Sequence, residues 1–327
     1  MGLGRLIVNV IRMIRPDYWP KNLFVFIGSA LAVFYLQQLT PINSCLLSLG
    51  FRSLVALVIA ILAASANYIL NELCDAKTDI YHPTKNARAV AAGEIAPALA
   101  LCLWGLFAVA AVAAAMLVSR VVVVTTLVFL ASGFAYNVKP FRLKDIPYLD
   151  IIAESFNNPI RLFLGWFAIL DSFVPPLSAI FAYWMGGAFL MAAKRLVEMR
   201  HLGSPTRAGQ YRKSLAYYNK ENIILQMFFY ATMTAFLLGV FIARYHVELV
   251  IIIPLLAGCF TGYVKAAISA PIGNEPEALY KEKWLAVLLG LTFIMGVILL
   301  FINLDFMRRI FNIQKPVLPP LWPTAGM

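Results

Sequence analysis

Residues 53–79 read SLVALVIAILAASANYILNELCDAKTD. The run from Leu54 to Leu70 is apolar, and it ends in Asn71, Glu72, Asp75 and Asp79. A helix that crosses hydrocarbon needs about 20 mostly apolar residues, so the spacing predicts a membrane helix over roughly 53–71 with a polar continuation. Asn71, Asp75 and Asp79 recur at i, i+4 and i+8 and share one face if the helix runs on. Carboxylates one turn apart suit a hard cation such as Mg²⁺, which takes oxygen ligands and keeps substrate phosphates in its shell. His82-Pro83-Thr84-Lys85 and Arg88 follow, and Lys85 and Arg88 can meet the same phosphates. Acids at a membrane-helix end are rare without a role. The cluster therefore reads as phosphate chemistry on a lipid, with a solvated loop as the plain alternative.

The rest of the chain has the same character. Of 327 residues, 61% are hydrophobic and 13% charged, with a mean hydropathy of +0.80, which excludes an ordinary soluble domain. Nine apolar segments lie near 23–41, 53–71, 97–118, 121–137, 150–170, 178–193, 223–243, 248–267 and 284–303. No alternating barrel strands are visible, so the expected fold is all-α, a polytopic bundle of nine transmembrane helices around a central cavity. Residues 1–16 form an amphipathic segment expected to lie in the interface. Residues 17–305 form the bundle, and the Pro-rich tail 306–327 is expected to be extended. With nine spans, most lysines and arginines fall on the flanks shared by the N-terminus and the 72–96 loop. The positive-inside rule places both in the cytoplasm and the C-terminus outside. The net charge of +11 suits anionic membrane lipids and phosphorylated substrates. No nucleic-acid motif claims it. Four scattered cysteines and three histidines give neither a disulfide framework nor a zinc site.

Three further constellations fall on the cytoplasmic side. Tyr136-Asn137-Val138-Lys139-Pro140-Phe141-Arg142-Leu143-Lys144-Asp145 offers Lys139, Arg142 and Lys144 to a phosphate, or is an ordinary positive-inside loop. Asp150, Glu154, Asn158 and Arg161 are spaced to form one helical stripe inside an apolar span. Such a stripe is costly unless it lines a polar cavity, and Arg161 needs a carboxylate or a phosphate, either on a substrate or on a neighbouring helix. Lys194-Arg195-Leu196-Val197-Glu198 closes span six, with Glu198 on the face of Lys194 and Arg195. Span two ends in acids and span six in bases, and a bundle of two repeats would set such ends across a central cavity.

Asn71-x3-Asp75-x3-Asp79, with Arg88 and Ala92-Gly93, resembles the first aspartate-rich motif of the UbiA superfamily of intramembrane prenyltransferases, N-D-x-x-D-x-x-x-D. Glu72 stands for its second acid, which makes Asp75, Asp79 and Glu72 the implied metal ligands. The chain is similar above all to the polyprenyl-phosphate (decaprenyl-phosphate) phosphoribosyltransferase branch. The matching pieces are Ile14-Arg15-Pro16 with Trp19-x-Lys21-Asn22, His82-Pro83-Thr84-Lys85, Lys194-Arg195-x-x-Glu198, Arg212-Lys213-Ser214-Leu215 and Asn274-Glu275-Pro276-Glu277. The usual second D-x-x-x-D is replaced by Lys194-Arg195-Leu196-Val197-Glu198, which suits a bare phosphate better than a second metal. Tyr136 through Lys144 is closer to the pigment and quinone prenyltransferases.

The resemblance implies a Mg²⁺-dependent transferase in a bacterial inner (plasma) membrane, with its active site facing the cytoplasm. Asp75 and Asp79, oriented by Asn71, would hold the metal on phosphoribosyl diphosphate, and Lys85 and Arg88 would support the donor's phosphates. Lys139, Arg142, Lys144, Lys194 and Arg195 would hold a polyprenyl phosphate, while Lys21 closes the site and Arg161 meets a phosphate. Tyr136, Asp150, Glu154 and Glu198 would orient. The alternative chemistry is transfer of a prenyl group from a prenyl diphosphate to an aromatic or other lipophilic acceptor. A lipid or anion carrier is the reading from another class. A homo-oligomer is compatible with such a bundle.

Overall fold

The computed structural model describes residues 3–39, 46–80, 85–202, 209, 212–269, 283–302, 304–311 and 321. Among them the protein is helical and has no strand. They fall into two compact units, one within Met1–Pro175, Gln210–Ser214 and Pro320–Met327, the other within Pro176–Gly209 and Leu215–Pro319.

The first unit is organised by α3 (Leu46–Asp79). Its neighbours are α1 (Leu3–Ile14), α2 (Val25–Leu39), α4 (Pro97–Met116), α5 (Arg120–Asn137) and α7 (Asn157–Ile169). At about 1.5 Å per residue, the 34 residues of α3 span roughly 51 Å. That exceeds a hydrocarbon core of about 30 Å, so the polar last turns need not lie in lipid. The helix does continue past residue 71 and ends at Asp79, the condition for Asn71, Asp75 and Asp79 to share a face.

Helices α2 and α7 pack almost backbone to backbone. A Cβ at Gly28 would collide with the carbonyl of Leu162, and one at Gly165 with that of Val25. Small residues permit this approach, which drives helix association where lipid offers no hydrophobic gain. Ser29 Oγ donates to Gly165 O at 3.2 Å across the same contact.

Eight helical stretches are long and apolar enough to cross a membrane among the described residues. The count of nine is not confirmed. Segment 150–170 is not one helix but two, α6 (Leu149–Ser155) and α7, meeting at Phe156. Pro159 supplies the reason: it has no N–H for the carbonyl of Ser155, and its ring crowds that oxygen. In the first of the eight stretches, Gly4–Gln37, α1 is separated from α2 by a 3₁₀ turn, Pro16–Phe24, that contains Pro16 and Pro20.

In the second unit α8 (Leu177–Leu202) packs on α9 (Lys220–Tyr245) and α10 (Ile253–Ser269), and α11 (Lys283–Phe301) packs on α10. The segments His82–Thr84 and Asn274–Glu277 and most of the Pro-rich tail, residues 312–320 and 322–327, lie outside the described residues.

Candidate active site

The end of α3 carries the acids, and each finds a different partner. Asp75, 7% exposed, accepts from Lys144 Nζ at 2.6 Å and Arg142 Nη2 at 3.0 Å. Asp79, fully buried, accepts from Arg88 Nη1 at 2.6 Å through Oδ2. Its Oδ1 has no hydrogen-bond partner among the described residues. Asn71 donates from Nδ2 to Asn137 Oδ1 at 2.6 Å.

Asn137 is the hub that sequence reasoning missed. It ends α5, is buried, and its Oδ1 also accepts from Lys144 Nζ at 2.7 Å. Its Nδ2 donates to Gly133 O at 2.9 Å. One side-chain amide thereby ties Asn71, Lys144 and α5 together. Its place next to Tyr136 in the quoted loop was the only signal in the sequence.

The 138–148 turn aims the two cations. Arg142 has φ 32 and Tyr148 φ 67, left-handed values uncommon outside glycine. From that backbone Arg142 reaches Asp75, Asp145 Oδ2 at 2.9 Å, and the carbonyls of Asn137 and Cys74 at 3.1 and 3.4 Å. Lys144 is 2% exposed. Burial lowers its ammonium from the ordinary 10.5 to about 8, against the opposing pull of Asp75.

The expected phosphate hook at 139–144 is thus partly redirected. Arg142 and Lys144 neutralise Asp75, because a carboxylate this deeply buried needs a paired charge. Lys139 is exposed. Glu72, the third expected ligand, is engaged by the protein through one oxygen. Its Oε1 accepts from the backbone N–H of Val90 at 3.1 Å, turning the carboxylate to the loop after Arg88. Among the described residues no three of His, Cys, Asp and Glu gather as a metal cluster. The oxygen donors on offer to a hard cation are Asp75 and Asp79. They fit: both are carboxylates, and Asp79 Oδ1 has an unspent acceptor.

The stripe expected over 150–161 divides at Phe156. On its first half, Tyr136 Oη donates to Glu154 Oε2 at 2.8 Å, and Arg212 Nη1 donates to Tyr136 Oη at 3.3 Å. Arg212 also stands 3.9 Å from Glu154 and 4.0 Å from Asp150. Ser214 Oγ lies 3.2 Å from Asp150 Oδ2 and 3.0 Å from Lys144 O. Arg212 and Ser214 therefore join the site from a segment that had only counted toward family likeness. On the second half, Arg161 Nε donates to Asn22 Oδ1 at 2.8 Å and Nη1 to Asn157 O at 3.1 Å, over the Phe129 ring. Lys21, exposed, lies over the Tyr18 ring at 4.1 Å. In the second unit Arg195, fully buried, pairs with Glu198 at 2.6 Å, and Lys194 is half-buried beside it.

Chemically, the first-unit site offers two carboxylates for a cation, a guanidinium at Asp79, and a buried charge network that fixes Asp75. The model of the UbiA prenyltransferase family matches residues 26–284. The chain is 31% identical over 223 residues to a decaprenyl-phosphate phosphoribosyltransferase of Mycobacterium tuberculosis, 66% of this chain and 67% of that protein. It is 33% identical over 224 residues to its Mycolicibacterium smegmatis counterpart, 66% and 64% of the two chains. A solved UbiA homolog from Archaeoglobus fulgidus bound to GPP and Mg²⁺ superposes with a TM-score of 0.66. That match covers 90% of this chain and all of that one at 18% identity, a likeness of fold. The chain therefore belongs to the UbiA prenyltransferase family and is a membrane-embedded transferase.

Proposed function

We propose that the protein transfers a 5-phosphoribosyl group from phosphoribosyl diphosphate to a polyprenyl phosphate at the cytoplasmic face of a bacterial plasma membrane. The observation that carries this reading is the end of α8. There Glu198 is the one acid among Lys194, Arg195 and Arg200, and it is engaged by Arg195. A second carboxylate pair for a second metal is not offered, and a basic helix end suits a bare phosphate. The likeness to decaprenyl-phosphate phosphoribosyltransferases over two thirds of the chain supports it.

In this reading Asp75 and Asp79 would hold Mg²⁺, which would supply charge neutralisation to the leaving diphosphate. Lys85 and Arg88 bind the donor's phosphates. Lys144, Arg142 and Asn137 hold Asp75 and Asn71 in place, so no reorganisation is needed when charge develops at the ribose. An acceptor phosphate oxygen bonds to ribose C1 as the C1–O bond to diphosphate breaks. That oxygen is already ionised, so no strong general base is required. The cations proposed for an acceptor phosphate are Lys139 in the first unit and Lys194 and Arg195 in the second. Glu154, positioned by Tyr136 and Arg212, and Glu198 orient rather than abstract a proton.

Prenyl transfer to a lipophilic acceptor is the second reading, favoured by the stretch Tyr136–Lys144. Release of inorganic diphosphate separates the two. Release from phosphoribosyl diphosphate that requires added polyprenyl phosphate supports ribosyl transfer. Release from a prenyl diphosphate alone, with none from phosphoribosyl diphosphate, would replace it by prenyl transfer.

A further inference from the structure

Helix α1 leaves Ile7, Val8 and Ile11 exposed, each about half, with exposed Arg5 and Arg12 beside them. The opposite face turns Asn9 and Met13 inward, at 5% and 0% exposure. An exposed apolar stripe rimmed by arginine is what a helix lying in a bilayer interface presents. Its end is fixed to α3: Ser65 Oγ donates to Ile14 O at 3.3 Å, and the Arg15 guanidinium stands 5.4 Å from the Tyr18 ring and 5.7 Å from that of Tyr68. Arg15 holds this place with a left-handed φ of 51.

Between α1, α3 and the turn after Lys85 lies a cavity of about 190 Å³ lined by Asn9, Arg12, Arg15, Glu72, Arg88 and Glu94. At about 30 Å³ per water this is room for roughly six waters, enough for a polar headgroup and too little for an acyl chain. It reaches from the surface, where Arg12 and Glu94 are exposed, to the buried Asn9. Asn9 lines its inner end, and Arg12, Arg15 and Glu94 line it beside the helix. The lining offers arginine forks for a phosphate, and a carboxylate for a donor that would accompany it.

We propose that this cavity binds the headgroup of a membrane phospholipid. The phosphate lies on Arg12 and Arg15, and the headgroup's hydroxyl or ammonium meets Glu94 and the Asn9 amide. Arg88 is the wall between this site and Asp79, so an occupied headgroup stands one guanidinium away from the acid cluster.

The test uses the purified full-length protein in detergent, titrated with a short-chain phosphatidylethanolamine or phosphatidylglycerol and followed by native mass spectrometry. Parallel titrations use inorganic phosphate and a neutral diacylglycerol. One saturable equivalent of phospholipid is expected, with affinity falling about tenfold in R12Q and severalfold in N9L, and with no binding of diacylglycerol. Thermal melting shows that each variant is folded, and N9S serves if N9L is not. Undiminished binding in R12Q and the Asn9 variant would overturn the site. Inorganic phosphate binding as tightly as the phospholipid would overturn headgroup recognition.

Discussion

Lys144 Nζ lies 2.6 Å from Asp75 Oδ1, and both groups are withdrawn from solvent. The lysine comes from a short turn after α5, and Asn137 Oδ1 holds the same ammonium. The carboxylate's charge is therefore set by a residue far away in sequence. Removing one partner of a buried pair costs roughly 3–5 kcal/mol. Lys144→Met is expected to fold with a lowered melting temperature and to lose at least ~100-fold in kcat. Wild-type turnover in this variant would remove Lys144 from the site.

The same pair gives a pH dependence with a definite sign. The native Lys144 titrates at about 8 against an ordinary 10.5. Between those values the folded protein binds fewer protons than the unfolded chain, so Lys144 makes unfolding free energy rise with pH across that window. Activity moves the other way, because the neutral amine no longer balances Asp75. A falling limb of kcat near pH 8 is expected, and Lys144→Arg, whose guanidinium stays charged, should shift it upward or abolish it. A limb unchanged in Lys144→Arg would assign the titration elsewhere.

Arg88 pairs with a fully buried Asp79. Arg88→Gln should reduce kcat/KM for the donor by ~100-fold or more, and Arg88→Lys should restore part of it. Steady-state kinetics with the donor as varied substrate reads this directly. Equal kinetics in all three proteins would separate Asp79 from catalysis.

Glu72 distinguishes a ligand from a loop anchor. If its task is to accept from Val90 N, Glu72→Gln keeps the acceptor oxygen, and activity and Mg²⁺ dependence should stay within about threefold. Glu72→Ala should lower stability by about 1 kcal/mol. A weakened Mg²⁺ requirement in Glu72→Gln would return Glu72 to the metal.

The α2–α7 contact has no room for a side chain at Gly165. Gly165→Leu is expected to cost more than ~3 kcal/mol through overpacking and to abolish the folded peak in size-exclusion chromatography. A monodisperse, active Gly165→Leu protein would contradict the packing.

Much of this was legible in the chain because membrane helices announce themselves by length and apolarity. The i, i+4, i+8 acids also needed only a continuing helix to share a face. The break at Phe156 was legible too, in Pro159, but hydropathy runs through a proline without a change. The Glu72 contact could not be read, because its partner is a backbone N–H 18 residues on. Asn137 and Ser214 looked ordinary because their value lies in which buried groups they reach. Arg142 and Lys144 read as a loop of free charge until the fold brought Asp75 to them.

The most direct test supplies purified protein with Mg²⁺, phosphoribosyl diphosphate labelled in the ribose, and a polyprenyl phosphate, and counts label entering the organic phase. Transfer is expected, abolished by EDTA and by Asp75→Asn in a folded protein. No transfer by folded wild-type protein, or undiminished transfer by Asp75→Asn, would contradict phosphoribosyl transfer at this site.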